Sequence, residues 1–522
     1  MRNTLWLLPA MIAFMPVSAF AHAGHIAERD LSDLAGAIAQ DKLSSEAVTS
    51  AYLEQIALFD DSGAQLNAVI ATFPDALEQA RMLDAERAAG KLRGPLHGVP
   101  ILLKDNIEAK GALPTTAGSL ALKDNVTNRD APIVAKLRAA GAVILGKTNL
   151  SEWANIRSNN STSGWSAVGG LTKNPHALDH NSCGSSSGSG AAIAASLAAG
   201  AVGTETDGSI VCPASVNGVV GFKPTMGLLS RTYIVPISHS QDTPGPVTRT
   251  VRDAALMLTV MAGSDDADPA TKDADRYKTD YTVGLTTDAI KDMRIGVMRA
   301  GKADAPAFNI ALEKLRGAGA VLVEMDTKFV DENALGKDEL KVLLTELKTD
   351  MAVYLQGLPA DLVPYKTLAD IIAFNKTNAK TELQYFNQDL FEQAEKEAGL
   401  DDAAYKTARE KSLRFAGYYG LDQMMNQYVV SVVVAQTNGP AWVSTLGLGD
   451  KFNPPSASAL PAIAGYPHLT VPMGAAPNGL PIGLSFIGRK WSDHLVLKVG
   501  YVFEQAAQAR IKPLFKSALG KD

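Results

Sequence analysis

Two short turns of small residues, Gly184-Ser185-Ser186-Ser187-Gly188 and Asp207-Gly208-Ser209, bracket an Ala-rich apolar stretch and a short strand within residues 181–214. A linker is Gly- and Ser-rich throughout; here the small residues stand at both ends of an apolar unit, the pattern of a built site. Gly and Ser let backbone approach a ligand closely and leave hydroxyls and N–H groups free to act on it. A serine hydroxyl is a poor nucleophile until a base takes its proton. No histidine accompanies these serines, so the base must be of another type. Lys104 closes the apolar run GVPILLK at 98–104. Desolvation there disfavours the charged amine and lowers its pKa, which makes a lysine a usable base.

Three other motifs point elsewhere and fail on context. Residues 141–148 match G-x-x-x-x-G-K-[ST] letter for letter. A phosphate-binding loop needs a strand before its first glycine, whereas here a helix precedes and the four middle residues read as a strand. Residues 184–188 match G-x-S-x-G, but a nucleophile elbow follows a hydrophobic strand, and His180-Asn181-Ser182-Cys183 is loop chemistry. His176 and His180 have i,i+4 spacing, but Pro175 and its loop neighbours spoil a helical metal face, so no metal site is expected.

The chain has 522 residues and a net charge of −6, with no basic stripe. Nucleic-acid and anionic-membrane binding lack their electrostatic footprint. Arg2, an apolar run over 5–15 and the small-x-small site Ala19-Phe20-Ala21 read as a signal peptide over 1–21. The mature chain, 22–522, is then expected to be exported, to a bacterial periplasm. Two cysteines are too few for a disulfide scaffold. Cys183 and Cys212 flank the two turns; a bridge is possible, but burial as small apolar thiols is the expectation.

The elements that must position Lys104 and the serines follow from periodicity. Helical spacing over 31–59, with Ser44 and Ser45 as cap candidates, precedes a strand over 66–72 and a charged helix over 75–89. Strands are expected at 98–104, 142–145, 201–204, 219–222, 293–297, 319–325, 429–436, 469–472 and 480–487. Helices are expected at 133–140, 149–156, 191–199, 249–261, 307–315 and 494–510. Residues 159–190 read as one long functional loop. Long amphipathic helices over 337–428 read as an insertion covering one side of the core, a candidate substrate-selecting region. The alternation predicts one large α/β domain, with a central, largely parallel or mixed twisted β-sheet covered by helices.

Lys104, the Gly/Ser turn and Gly203-Thr-Glu-Thr-Asp-Gly-Ser209 together resemble the amidase signature family. The serine spacing of 24, GVPILLKDNI at 98–107, GAVILGKTNLSEWA at 141–154 and GLPIGLSFIG at 479–488 belong to the same pattern. In isolation each residue reads as a strand-end lysine or a loop serine; in this register they read together. Cys183 and Ser187 replace glycines of the family's first turn, and Asp207 replaces a glycine before the nucleophile. Pro440-Ala441-Trp442 and Gly164-Trp165-Ser166 resemble the peptide amidase branch.

The resemblance implies the amidase signature fold and a Ser-cisSer-Lys mechanism in which Lys104 takes the proton of Ser185, Ser185 that of Ser209, and Ser209 attacks the carbonyl. Ser185 follows a cis peptide from Gly184, and the backbone N–H groups of Thr206, Asp207, Gly208 and Ser209 form the oxyanion hole. Ser186 and Ser187 are read as turn residues, and Asp207 as a backbone contributor. No metal or organic cofactor is implied. The expected substrate is a small molecule or short peptide carrying a linear carboxamide, best a C-terminal peptide amide giving free acid and ammonia. A general aliphatic or aryl-amide amidase is the alternative within the class. A glutamine-amidotransferase subunit is disfavoured, because it works in the cytosol with partner subunits. A catalytically silent periplasmic binding protein is the alternative outside the class, disfavoured by the intact Lys104, Ser185 and Ser209. Monomer and homo-oligomer stay open.

Overall fold

The run that ends in Lys104 forms a strand with every residue buried, as a strand covered on both faces must be. The computed structural model describes residues 24–326 and 332–519; the expected signal segment, 1–21, lies outside them. Eleven strands build one sheet. In chain order they are β1 (Val69–Thr72), β2 (Pro100–Lys104), β3 (Val143–Thr148), β4 (Gly200–Glu205), β5 (Val220–Lys223), β6 (Thr243–Thr248), β7 (Arg294–Val297), β8 (Val321–Glu324), β9 (Val432–Gln436), β10 (His468–Ala475) and β11 (Pro481–Ile487). Their order across the sheet is β1-β3-β2-β4-β6-β5-β10-β11-β9-β7-β8. Parallel pairs occupy the flanks, β3–β2–β4 on one side and β9–β7–β8 on the other. The strands between β4 and β9 run antiparallel, so the sheet is mixed.

β6 went unread in the sequence because Pro244 and Pro246 argue against a central strand. It tolerates them because it pairs with β4 along its whole length but with β5 only at Val247 and Thr248. The prolines therefore lie where one ladder has to be served, not two. The expected helix over 149–156 is a single 3-10 turn, Glu152–Asn155, in which Trp153, Ala154 and Asn155 take positive φ. Residues 159–190 are not one loop. They hold two small ribbons, Trp165–Ser166 with Gly170–Leu171 and Lys173–Asn174 with Ala177–Asn181. The following helix, α1, starts earlier than its apolar residues suggest, at Ser187, and runs Ser187–Ala194.

Beyond the sheet, α2 (Val211–Val216) follows the second turn, and α3 (Glu332–Gln356) opens the helical region. Helices Leu368–Thr377, Ala379–Glu382, Asp389–Ala394, Ala403–Ala416 and Gln423–Tyr428, with a π-helical stretch at Gly417–Asp422, complete it. Leu344, Leu347, Met351, Ile371 and Phe391 form an apolar cluster of their own with Trp153. That cluster seats the helical layer on the loop that walls the site. A fully buried Arg157 locks the seam, donating to Glu152 Oε1 at 2.6 Å and to the carbonyl of Glu382.

Candidate active site

β2 and β4 are parallel neighbours, so Lys104 at the end of β2 lies beside the end of β4. The fully buried ammonium donates to Ser185 Oγ at 2.7 Å, to Thr204 Oγ1 at 2.8 Å and to the Thr204 carbonyl at 3.2 Å. Asn106 Nδ2 donates to the same threonine hydroxyl at 3.0 Å. Burial pulls the Lys104 amine down to about 7, against the opposing charges of Asp242 and Glu205. Desolvation outweighs attraction here, because neither carboxylate bonds the amine directly.

The two turns are pinned to each other and to the sheet. Ser186 N–H donates to the carbonyl of Ser209 at 3.1 Å. Ser186 Oγ donates to the Thr204 carbonyl at 3.0 Å and accepts from Thr204 N–H at 3.2 Å, so this serine is a cross-brace to β4 and more than a turn residue. Ser187 Oγ donates to the Cys183 carbonyl at 2.6 Å and closes the first turn. The Gly184–Ser185 peptide is cis. A Cβ at Gly188 would lie 2.2 Å from the Ala68 carbonyl oxygen, so the first turn of α1 can pack here only as glycine. The expected free thiols are corrected: Cys183 and Cys212 form a disulfide, with Cα atoms 6.0 Å apart. It fastens the first turn to α2, and Cys183 takes a positive φ of 55° where the resemblance places a glycine. That conformation costs of order 1 kcal/mol or more for a residue with a side chain.

Ser185 is wholly buried, whereas Ser209 is 8% exposed and opens on a cavity of ≈ 530 Å³. Glu205 Oε2 accepts from the N–H groups of Ile210 and Val211, the donors that open α2. The N–H groups of Asp207, Gly208 and Ser209 find no acceptor among the described residues. Thr206 is held through its hydroxyl, which donates to Asp242 Oδ1 at 2.6 Å. Ile156, Ile237, Leu343, Phe452 and Pro454 give the cavity an apolar wall, and Asp207 is its one ionisable side chain among the described residues. A second cavity of ≈ 370 Å³, carrying Arg129, Arg231, Tyr233, His239 and Asp350, shares Ala154, Thr206 and Ile237 with the first.

The other motifs take structural roles. Residues 143–148 of the phosphate-loop match are β3, and Lys147 is a buried partner of Asp105 at 3.0 Å. His176 bonds the Asn217 carbonyl and His180 bonds Asp179, so the pair faces no common site. Sequence reasoning missed Thr204, Glu205, Gln241 and Asp242, which support the turns from β4 and the loop before β6. GTETDGS carries the first two; the partners of Thr204 come from distant segments, and Glu205 caps the helix that directly follows the motif.

The fold and its relatives define a hydrolase of amide C–N bonds built on a single α/β sheet. A family model described as amidase matches residues 47–497, and the chain belongs to the amidase family. It is 39% identical to a "probable amidase" of Arabidopsis thaliana over 94% of this chain and 92% of that one. It is 34% identical to one of the subunits of the glutamyl-tRNA(Gln) amidotransferase of Cereibacter sphaeroides, over 93% of this chain and 98% of that one. Among solved structures, the native peptide amidase of Stenotrophomonas maltophilia superposes with a TM-score of 0.88 at 47% identity, covering 94% of this chain and 99% of that one.

Proposed function

We propose that the protein hydrolyses C-terminal carboxamides of short peptides through an acyl-enzyme on Ser209, with Ser185 and Lys104 as the proton relay. The observation that carries this reading is the 2.7 Å bond between a buried lysine near its neutral form and Ser185, on a turn bonded to that of Ser209. A neutral amine has two hydrogens and one lone pair. The Thr204 carbonyl can only accept, so it takes one hydrogen; Thr204 Oγ1 takes the other, and the lone pair faces Ser185. Ser185 gives its proton to Lys104 and receives that of Ser209 as Ser209 Oγ bonds the substrate carbonyl carbon. Negative charge develops on the carbonyl oxygen, and the N–H groups of Asp207, Gly208 and Ser209, with Thr206 beside them, are placed to receive it. Such donors are each worth about 2.7–4 kcal/mol to the transition state. The relay then returns a proton to the departing nitrogen, ammonia leaves, and water repeats the sequence on the ester.

One feature supports a peptide amide as substrate, and a second suits neutral carboxamides in general. The similarity to a peptide amidase extends along nearly the whole chain. No lysine or arginine lines the cavity of Ser209 among the described residues, so a neutral carboxamide is accommodated while a product carboxylate finds no cationic partner. Export to the periplasm belongs to the same proposal, and the Cys183–Cys212 bridge suits an oxidising compartment. No helix among the described residues is long and apolar enough to cross a membrane.

A fluorophosphonate probe tests the nucleophile. Intact-mass and peptide analysis is expected to find one adduct, on Ser209, absent from Ser209→Ala. Folded protein that takes no label, or labels elsewhere, would reject the acyl-enzyme mechanism.

A further inference from the structure

Helix α3 meets the second turn through one side chain from the loop before β6. Gln241, 2% exposed, donates from Nε2 to Glu339 Oε1 of α3 at 2.8 Å and to the Thr206 carbonyl at 3.3 Å. One amide group thereby spends a hydrogen on the helix and the other on the turn. The Thr206 carbonyl and the Asp207 N–H belong to the same planar peptide unit, so gripping the oxygen aims the hydrogen. Accepting a bond at the oxygen also polarises the unit and strengthens the N–H as a donor. The Thr206 hydroxyl bond to Asp242 holds the residue from a second direction.

We propose that Gln241 and Glu339 are positioning residues that aim the Asp207 N–H at the substrate carbonyl, so that the helical layer sets the geometry of the oxyanion hole. The inference rests on the catalytic reading of Ser209 given above. Glu339 is nearly buried, and desolvation together with the neighbouring Asp207 pushes its carboxyl up. Its Oε1 accepts from Gln241, an acceptor that a glutamine at this position also offers. The Asp207 side chain bonds Ser458 and leaves Oδ1 without a hydrogen-bond partner among the described residues, while the grip on its peptide unit comes from Gln241 through the Thr206 carbonyl.

The test is steady-state kinetics on an amidated dipeptide for the full chain carrying Gln241→Met, Glu339→Ala or Glu339→Gln, each checked by its melting temperature, with Ser209→Ala as control. A weakened oxyanion donor acts in the transition state and not on ground-state binding. Gln241→Met and Glu339→Ala are therefore expected to lower kcat about tenfold with KM within about twofold, while Glu339→Gln keeps kcat. If Glu339→Ala does not fold, Gln241→Met, which keeps the chain length and removes both hydrogens, carries the same expectation. A rise in KM at unchanged kcat, or Glu339→Gln as impaired as Glu339→Ala, would overturn the inference. A Ser209→Ala protein that still turns over would instead reject the catalytic reading itself; a dead Ser209→Ala beside unimpaired Gln241 variants would reject the positioning role alone.

Discussion

In the proposed relay Lys104 must lose its proton, and the sheet end favours that loss: a charged amine there has no carboxylate in direct contact to offset its desolvation. kcat/KM is expected to rise with pH through about 7, as the amine becomes neutral. Lys104→Ala is expected to lower kcat by a factor of roughly 10²–10⁴ and to erase that limb of the profile. An unchanged pH–rate profile in the variant would reject the lysine base. Stability follows with a definite sign. The native pKa is depressed from 10.5, so between about 7 and 10.5 the unfolded chain binds more protons than the native one, and this group's contribution to stability rises with pH there. The lysine and both serines were legible because their chemistry and spacing are local to short motifs. Thr204, Gln241 and Asp242 were not, since nothing in their own segments says which turn they support.

At the scale of elements, the site is a junction of two turns held by α1, α2 and β4. Periodicity found most strands and helices, because apolar runs such as PILLK and VILGKT are buried whole. It missed β6, where the prolines are excused by a missing neighbour, and it gave residues 159–190 too little structure because its ribbons are only a few residues long. The disulfide was unreadable for the same reason as any through-space contact: its two cysteines are 29 residues apart and meet only when α1 folds back onto α2. A loop of that length constrains the unfolded chain by about 3–4 kcal/mol. The double variant Cys183→Ser/Cys212→Ser is therefore expected to unfold at lower denaturant, with a somewhat steeper slope of unfolding free energy against denaturant, because the unbridged unfolded chain exposes more surface. It is also expected to lose activity before it unfolds, since the bridge fastens the turn of Ser185 to the helix after Ser209. Equal midpoints for wild type and variant in denaturant titrations would contradict the structural role.

For the whole molecule, the helices over 337–428 were readable from their charge and helical spacing. Their contact with the turn of Ser209, through Glu339 and Gln241, was not, because that contact joins α3 to a loop nearly a hundred positions away. The fold and family were legible almost end to end, since the motifs that carry them lie at 98–107, 141–154, 181–214 and 479–488. Which amide enters the cavity depends on walls drawn from Ile156, Ile237, Leu343 and Phe452, whose meeting only the fold brings about. Ammonia release from a C-terminally amidated dipeptide, set beside release from a simple aryl amide, tests the central claim most directly. Rapid release from the peptide amide and slow release from the aryl amide are expected. Preference for the aryl amide would leave the Ser–Ser–Lys chemistry standing and contradict the peptide substrate; no release from either, by folded protein, would contradict the proposed catalysis.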